Sequence, residues 1–240
     1  FDPCASHVPN MFSDFTGHVN LGNYLLQRGG ILVTGIGFLM LSVIPFRRIP
    51  NSLHVTVRCA SLAGGLFVLA GGLFGCYLSQ LEMTKNDRER YKSACDKYVD
   101  VPRARVSKND LHVKELADGG ISVNSRMEIV NRNKTRVPLI VYLNPGFEVK
   151  SFEIDGSKVS FRGEGQVLLP DKELEPGESC SVVIRYEGKV DNSVCFLDVP
   201  SARYDSPEVN RNGIYHYGYK PAFCEREYKL LTPECIWYPV

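Results

Sequence analysis

The sequence predicts a membrane-anchored chain in which two transmembrane α-helices precede an antiparallel β-sandwich. The runs Gly29–Phe46 and Cys59–Leu81 carry no charge. Each is close to the length a helix needs to cross the hydrocarbon core, about 20 residues. Beyond residue 107, short alternating apolar and polar segments recur with a turn about every ten residues, the pattern of a sandwich. The expected organisation is an extracytoplasmic segment over 1–28 and a two-helix transmembrane hairpin over 29–81. A juxtamembrane helix and linker follow over 82–106, then a β-sandwich ectodomain over 107–240, aromatic-rich and truncated at its C-terminal end.

Composition averages over these unlike parts. The chain is 23% charged with a net charge of +1, and its mean hydropathy is -0.13. So small a net charge supplies no global field to attract nucleic acid or an anionic substrate. The chain starts at Phe1 without a signal sequence and stops at Trp237-Tyr238-Pro239-Val240, so it reads as a fragment of a longer protein.

The loop between the two runs holds Arg47, Arg48 and Arg58 and no acid. Short loops rich in Lys and Arg stay in the cytoplasm, which puts both ends of the chain on the other side. Asp2 and Asp14 against Arg28 before the first run agree. Lys85, Arg88, Arg90 and Lys92 after the second run argue the other way, but they alternate with Glu82, Asp87 and Glu89 and open a long domain, where the rule is weaker. A buried helix of a soluble protein usually keeps a polar stripe. The first run offers only Thr34 and Ser42.

The second run is rich in small residues, and Gly71 and Gly75 make a G-x-x-x-G step that suits close packing against other transmembrane helices. Neither run holds an ionisable group, which argues against a proton or ion path through them. From Met83 to Tyr98 a charged helix is expected, with Tyr91, Ala94, Cys95 and Tyr98 at helical spacing and Pro102 as its stop.

The strands follow in order. Leu111–Leu116 alternates up to the Asp118-Gly119-Gly120 turn, and Ile121–Val130 alternates over its whole length. Asn131–Lys134 is a turn. Val137–Leu143 is a strand closed by Asn144-Pro145-Gly146. Phe147–Ile154 leads into an Asp155-Gly156 hairpin turn. Lys158–Phe161, Gln166–Leu169 and Ser179–Tyr186 complete the series, the last preceded by Glu175-Pro176-Gly177-Glu178. Residues 200–240 carry Tyr204, Tyr215, Tyr217, Tyr219, Phe223, Tyr228, Trp237 and Tyr238, the composition of a segment that packs against something.

Cys59 and Cys76 lie in the second run and act as small apolar groups. Cys4, Cys95, Cys180, Cys195, Cys224 and Cys235 lie outside it, with no C-x-x-C and no zinc spacing. In an extracytoplasmic domain, Cys180–Cys195 or Cys224–Cys235 is open as a disulfide. Unpaired half-buried thiols are the equal alternative.

The stretches "VPLIVYLNPGFEVKSFEIDGSKVSF" and "LEPGESCSVVIRYEGKV" resemble the N-terminal sandwich of the aminopeptidase N family of zinc metallopeptidases. The matching features are Leu143-Asn144, Val149, the Asp155-Gly156 hairpin, Pro176-Gly177-Glu178 and Tyr186-Glu187-Gly188. The closing "LLTPECIWYPV" resembles the family's passage into its catalytic domain, with Trp237-Tyr238-Pro239 as the recognisable part. Spans placed directly before such a domain resemble a bacterial fusion of an ABC transporter permease to a peptidase-like ectodomain.

The resemblance implies a zinc site in a downstream domain and none in this chain. The family's H-E-x-x-H helix sets two imidazoles one turn apart on one metal, with the Glu activating water. His7, His18, His54, His112 and His216 include no such pair. Glu225, Glu227 and Glu234 sit near the region that binds a substrate amine in the family but match no motif. Hence no catalytic, cofactor-binding or metal-binding residue is assigned. There is also no P-loop, and His216 among tyrosines reads as packed rather than ligating.

The expected function is the membrane-anchored front of a peptidase-like protein at a bacterial inner membrane, fused to a transporter permease, with its sandwich outside and supporting the downstream zinc peptidase domain. Its expected partners are the lipid bilayer, other transmembrane helices, that peptidase domain and an ATP-binding transporter subunit. The alternatives are an Ig-like binding or sensing ectodomain, marked by an aromatic patch left exposed, and a periplasmic extension of a permease.

Overall fold

The structure is a computed structural model, and it describes residues 11–13, 17–19, 21–45, 53–191, 194, 197, 229 and 231–240. Arg47 and Arg48 of the loop, Asp2 and Asp14, His7 and His216, Cys4, Cys195 and Cys224, Glu225 and Glu227, and the tyrosines from Tyr204 to Tyr228 with Phe223 lie outside the described residues. The chain divides into two compact units, Phe1–Thr84 and Lys85–Val240.

In the first unit, β1 (Met11–Ser13) pairs antiparallel with β2 (Gly17–Val19). Helix α1 (Leu21–Ser42) follows, then the part of α2 (Leu53–Tyr98) up to Thr84. Helix α1 starts at Leu21 rather than Gly29. Asn23, Gln27 and Arg28 interrupt the hydropathy but not the backbone, since none of them breaks a helix. Its hydroxyls bond within the helix: Thr34 Oγ1 donates to Gly30 O at 2.8 Å and Ser42 Oγ to Leu39 O at 2.7 Å.

The two helices meet through glycines of α1 and rings of α2. A Cβ on Gly30 would stand 2.9 Å from the Phe74 ring, and one on Gly37 would stand 3.0 Å from the Phe67 ring. Phe67 also meets Phe38 edge to face, with centroids 5.1 Å apart. Gly71 and Gly75, expected at a packing seam, meet no heavy atom within 4 Å. The buried small residues of α2 are instead Ala63 and Ala70, while Gly30 and Gly37 of α1 leave the hollows that its rings fill.

Away from that seam the surface is apolar. Leu39 is 69% exposed and Leu69 53% exposed. Both helices are long and apolar enough to be candidate membrane spans.

The second unit is a mostly antiparallel sheet domain. Its strands are β3 (Arg105–Glu115), β4 (Ile121–Val130), β5 (Val137–Pro138), β6 (Val141–Tyr142), β7 (Phe147–Ile154) and β8 (Ser157–Lys158). Then come β9 (Phe161–Glu164), β10 (Val167–Pro170), β11 (Glu173–Leu174) and β12 (Ser179–Gly188). Five of them form one sheet in the order β3-β4-β12-β7-β8. The order β6-β10-β9 makes a second sheet, and β11-β5 a third.

Alternation sets which face is buried. On β4, Ile121, Val123, Ser125, Met127 and Ile129 are buried, whereas Arg126 and Glu128 are exposed. They share one core with Val182, Ile184 and Tyr186 of β12 and with Leu139, Leu143, Leu168 and Leu174 from the smaller sheets and their connections.

The turns bear out the glycine signals. Asp155 and Gly156 both take positive φ, 51° and 80°, as a two-residue hairpin of the primed type requires. The strand expected over Val137–Leu143 is instead two short ones. Leu139 donates its N–H to Lys172 O at 2.9 Å, so the chain changes partner from β11 to β10 midway.

The end of α2 packs within this unit. Tyr91 is 5% exposed, its carbonyl accepts Gln166 Nε2 at 2.9 Å, and its ring fills the space beside Gly165. The helix ends at Tyr98, before Pro102 as expected.

Candidate functional site

A densely bonded polar position in the sheet domain is Asn144, just past β6. It is 1% exposed. Its Nδ2 donates to Cys235 O at 2.7 Å and to Asp191 O at 3.0 Å. Its Oδ1 accepts the N–H of Asp191 at 2.8 Å and of Gly146 at 2.9 Å. A primary amide offers two donors and two acceptor lone pairs, so this side chain is fully used.

Gly146 makes the junction close. A Cβ there would overlap the Lys189 carbonyl and stand 2.7 Å from Asp191 N. The backbone of the Asn144-Pro145-Gly146 turn therefore lies directly against the chain leaving β12. Asp191 extends the network outward: its Oδ2 accepts Tyr91 Oη at 2.9 Å, and Arg90 Nη2 donates to the same hydroxyl at 3.0 Å. Burial, and then the neighbouring Asp191, raise the Tyr91 phenol above its ordinary range.

The closing segment is bonded into the same place. Asn144 N–H donates to Ile236 O at 2.9 Å, Tyr186 Oη to Trp237 O at 3.0 Å and Asn109 Nδ2 to Pro239 O at 3.3 Å. Cys235 is fully buried, closing a short helical turn, and Ile236 takes φ 51°. A β-branched residue resists that left-handed conformation. Ile236 is held in it because its N–H bonds to Pro233 O at 3.0 Å while its own carbonyl is held by Asn144.

Two open clefts flank the sheets. One, of about 790 Å³, is lined by Val101, Arg103, Val106, Ile129, Ile140 and Val240 among others. The Arg103 guanidinium lies over the Tyr142 ring, 4.9 Å from its centroid. The other, of about 400 Å³, lies on β3 and β4 beside His112, Asn124 and Arg126.

His18 and His54 belong to the first unit, and His112 is exposed on β3 of the second. Among the described residues no three His, Cys, Asp or Glu side chains gather as metal ligands would. The bonds around Asn144 hold chain segments in place.

Cys180 is a buried free thiol, pushed up to about 11 by burial. Cys235 Sγ donates to Thr232 O at 3.0 Å. Their suggested partners, Cys195 and Cys224, are among the residues not described.

Reading the sequence singled out Leu143-Asn144 and Trp237-Tyr238-Pro239 but missed Tyr91 and Asp191. Tyr91 carries no signal beyond its helical spacing. Its partner lies 100 residues away in sequence.

The chain matches no protein-family model and no curated protein. Among solved structures it is similar to the M1 zinc metallopeptidase from Deinococcus radiodurans, at 21% identity and a TM-score of 0.33, over 38% of this chain and 21% of that one. It is also similar to leukotriene A4 hydrolase from Saccharomyces cerevisiae, at 18% identity and a TM-score of 0.31, over 38% of this chain and 16% of that one. The match thus spans about a fifth of the length of these proteins or less.

Proposed function

We propose that this chain is the membrane-anchored front of an aminopeptidase N-type protein. Its sheets form a sandwich on the extracytoplasmic side that supports and orients a zinc peptidase domain encoded downstream. The apolar helices are the tether. Their exposed leucines and phenylalanines suit lipid better than water. The fusion to a transporter permease rests on the order of the spans alone.

One observation carries the reading: the two motifs that resemble the family are bonded to each other. Leu143-Asn144 grips Cys235 and Ile236 through side chain and backbone. The segment resembling the passage into a catalytic domain is therefore fixed to the sheets and does not trail from them. In this reading the chain's own part is positional.

Reading through the gene in both directions from this segment tests the proposal. The expected result is a downstream domain with H-E-x-x-H and further spans upstream. The purified full-length protein should release amino acids from aminoacyl p-nitroanilides and lose that activity to a zinc chelator. A reading frame without a peptidase-sized domain would overturn it.

A further inference from the structure

The outward face of the five-stranded sheet carries a row of four polar residues. Ladder register fixes the row: His112 of β3 stands opposite Asn124 of β4, Asn124 opposite Arg185 of β12, and Arg185 opposite Ser151 of β7. Alternation turns all four away from the core that Val123, Ile184 and Phe152 help to fill.

Arg126 lies on the same face, opposite Val183 and so diagonal to Arg185. Diagonal neighbours stand about 7 Å apart, within reach of long side chains. Two guanidiniums at that spacing repel each other and favour an anion placed between them. The acids of the sheet do not take that place. Asp110, opposite Arg126, is bound to Lys108 Nζ at 3.0 Å, and Glu187 to Lys150 Nζ at 2.9 Å. Glu128 and Glu153 share the face, yet among the described residues neither forms an ion pair with Arg126 or Arg185. Two oxygens of the row are also unmet: among the described residues, Asn124 Oδ1 and Ser151 Oγ are buried without a hydrogen-bond partner. Arg185 stands between them in the row. The cleft of about 400 Å³ opens beside it, with Asp110, His112, Asn124 and Arg126 in its lining.

We propose that this face binds an acidic saccharide. A ring carboxylate sits between Arg126 and Arg185, whose planar forks match it in two-point geometry. Drawing the Arg185 guanidinium outward uncovers the two oxygens. Ring hydroxyls then donate to Asn124 Oδ1 and bond with Ser151 Oγ. An acidic peptide suits the face less well. Strands β4 and β12 are interior, with both edges paired, so no backbone there is free to receive a peptide strand. The site lies on the sheet itself and does not depend on a downstream peptidase domain.

Titration calorimetry of the full chain in neutral detergent tests this, with trigalacturonate, uncharged galactotriose and triglutamate as probes. Trigalacturonate should bind about tenfold or more tightly than either of the others. Arg126→Gln and Arg185→Gln should each weaken it about tenfold, the scale of one hydrogen-bonded charge. Arg132→Gln removes the same charge on the turn after β4 and should leave binding unchanged. Asn124→Ala should weaken binding without lowering the urea midpoint, since its oxygen has no partner in the unliganded fold. No binding of trigalacturonate, equal binding of galactotriose, or tighter binding of triglutamate would overturn the proposal. So would equal effects of the Arg126 and Arg132 substitutions.

Discussion

The Asn144 side chain donates to the Cys235 carbonyl at 2.7 Å, a bond between residues 91 apart in sequence. It closes the domain by joining the turn after β6 to the segment that ends the chain. Asn144→Ala strips four partners at once and leaves buried backbone groups unpaired. The expected loss is about 3 kcal/mol of sheet-domain stability, read as a lower urea midpoint. Asn144→Asp should cost at least as much, because it sets a carboxylate oxygen against two carbonyls. A midpoint unchanged by either substitution would contradict this role.

Gly146→Ala should be as damaging without removing any hydrogen bond. Its methyl has nowhere to go, since the obstacles are the Lys189 carbonyl and the Asp191 amide rather than a movable side chain. Gly156→Ala in the β7–β8 hairpin meets open space and strains only φ. It should cost about 1 kcal/mol. Thermal unfolding of the two variants side by side checks the ranking.

Strands with one buried face and one wet face were legible in the sequence: β4 and β7 run over Ile121–Val130 and Phe147–Ile154, where alternation places them. Edge strand β3 starts at Arg105, well before Leu111. A register shift between Val106 and Lys108 and the edge charges hide its period. The two-residue β11 has too little sequence to show any period. At the junction, Asn144 stood out as part of a motif, but its partners are backbone atoms, and a backbone atom has no sequence signature.

Alkaline pH should weaken the sheet domain through Cys180. Its thiol ionises near 9.0 when unfolded and near 11 when folded. The folded pKa is the higher one, so the contribution is complete below about 9 and is lost as pH rises through about 11. Burial pushes the Tyr186 phenol up as well, which extends the loss to still higher pH. Urea midpoints between pH 8 and 11 should fall, and Cys180→Ala should flatten that slope whatever it does to absolute stability. A slope identical in wild type and variant would refute the assignment.

For the helices, Leu32→Asp puts a carboxylate on an exposed apolar face midway along α1. In a spanning helix this costs about 3 kcal/mol of insertion free energy. Flotation of expressed protein with vesicles should show less of the variant in the lipid fraction. An equal distribution, with both proteins soluble without detergent, would remove the case for a bilayer.

Strand β12 lies at the centre of its sheet yet is the last of the five to be made, paired along Ser179–Gly188 with β4 on one side and along Val182–Gly188 with β7 on the other. During synthesis, β4 and β7 leave the ribosome with no neighbour between them. Their apolar faces wait for a strand still tens of residues away in the message. Such late, long-range closure makes for slow maturation and an aggregation-prone nascent chain. The yield of folded protein in a cell should therefore depend on translation rate and holdase supply more than on equilibrium stability.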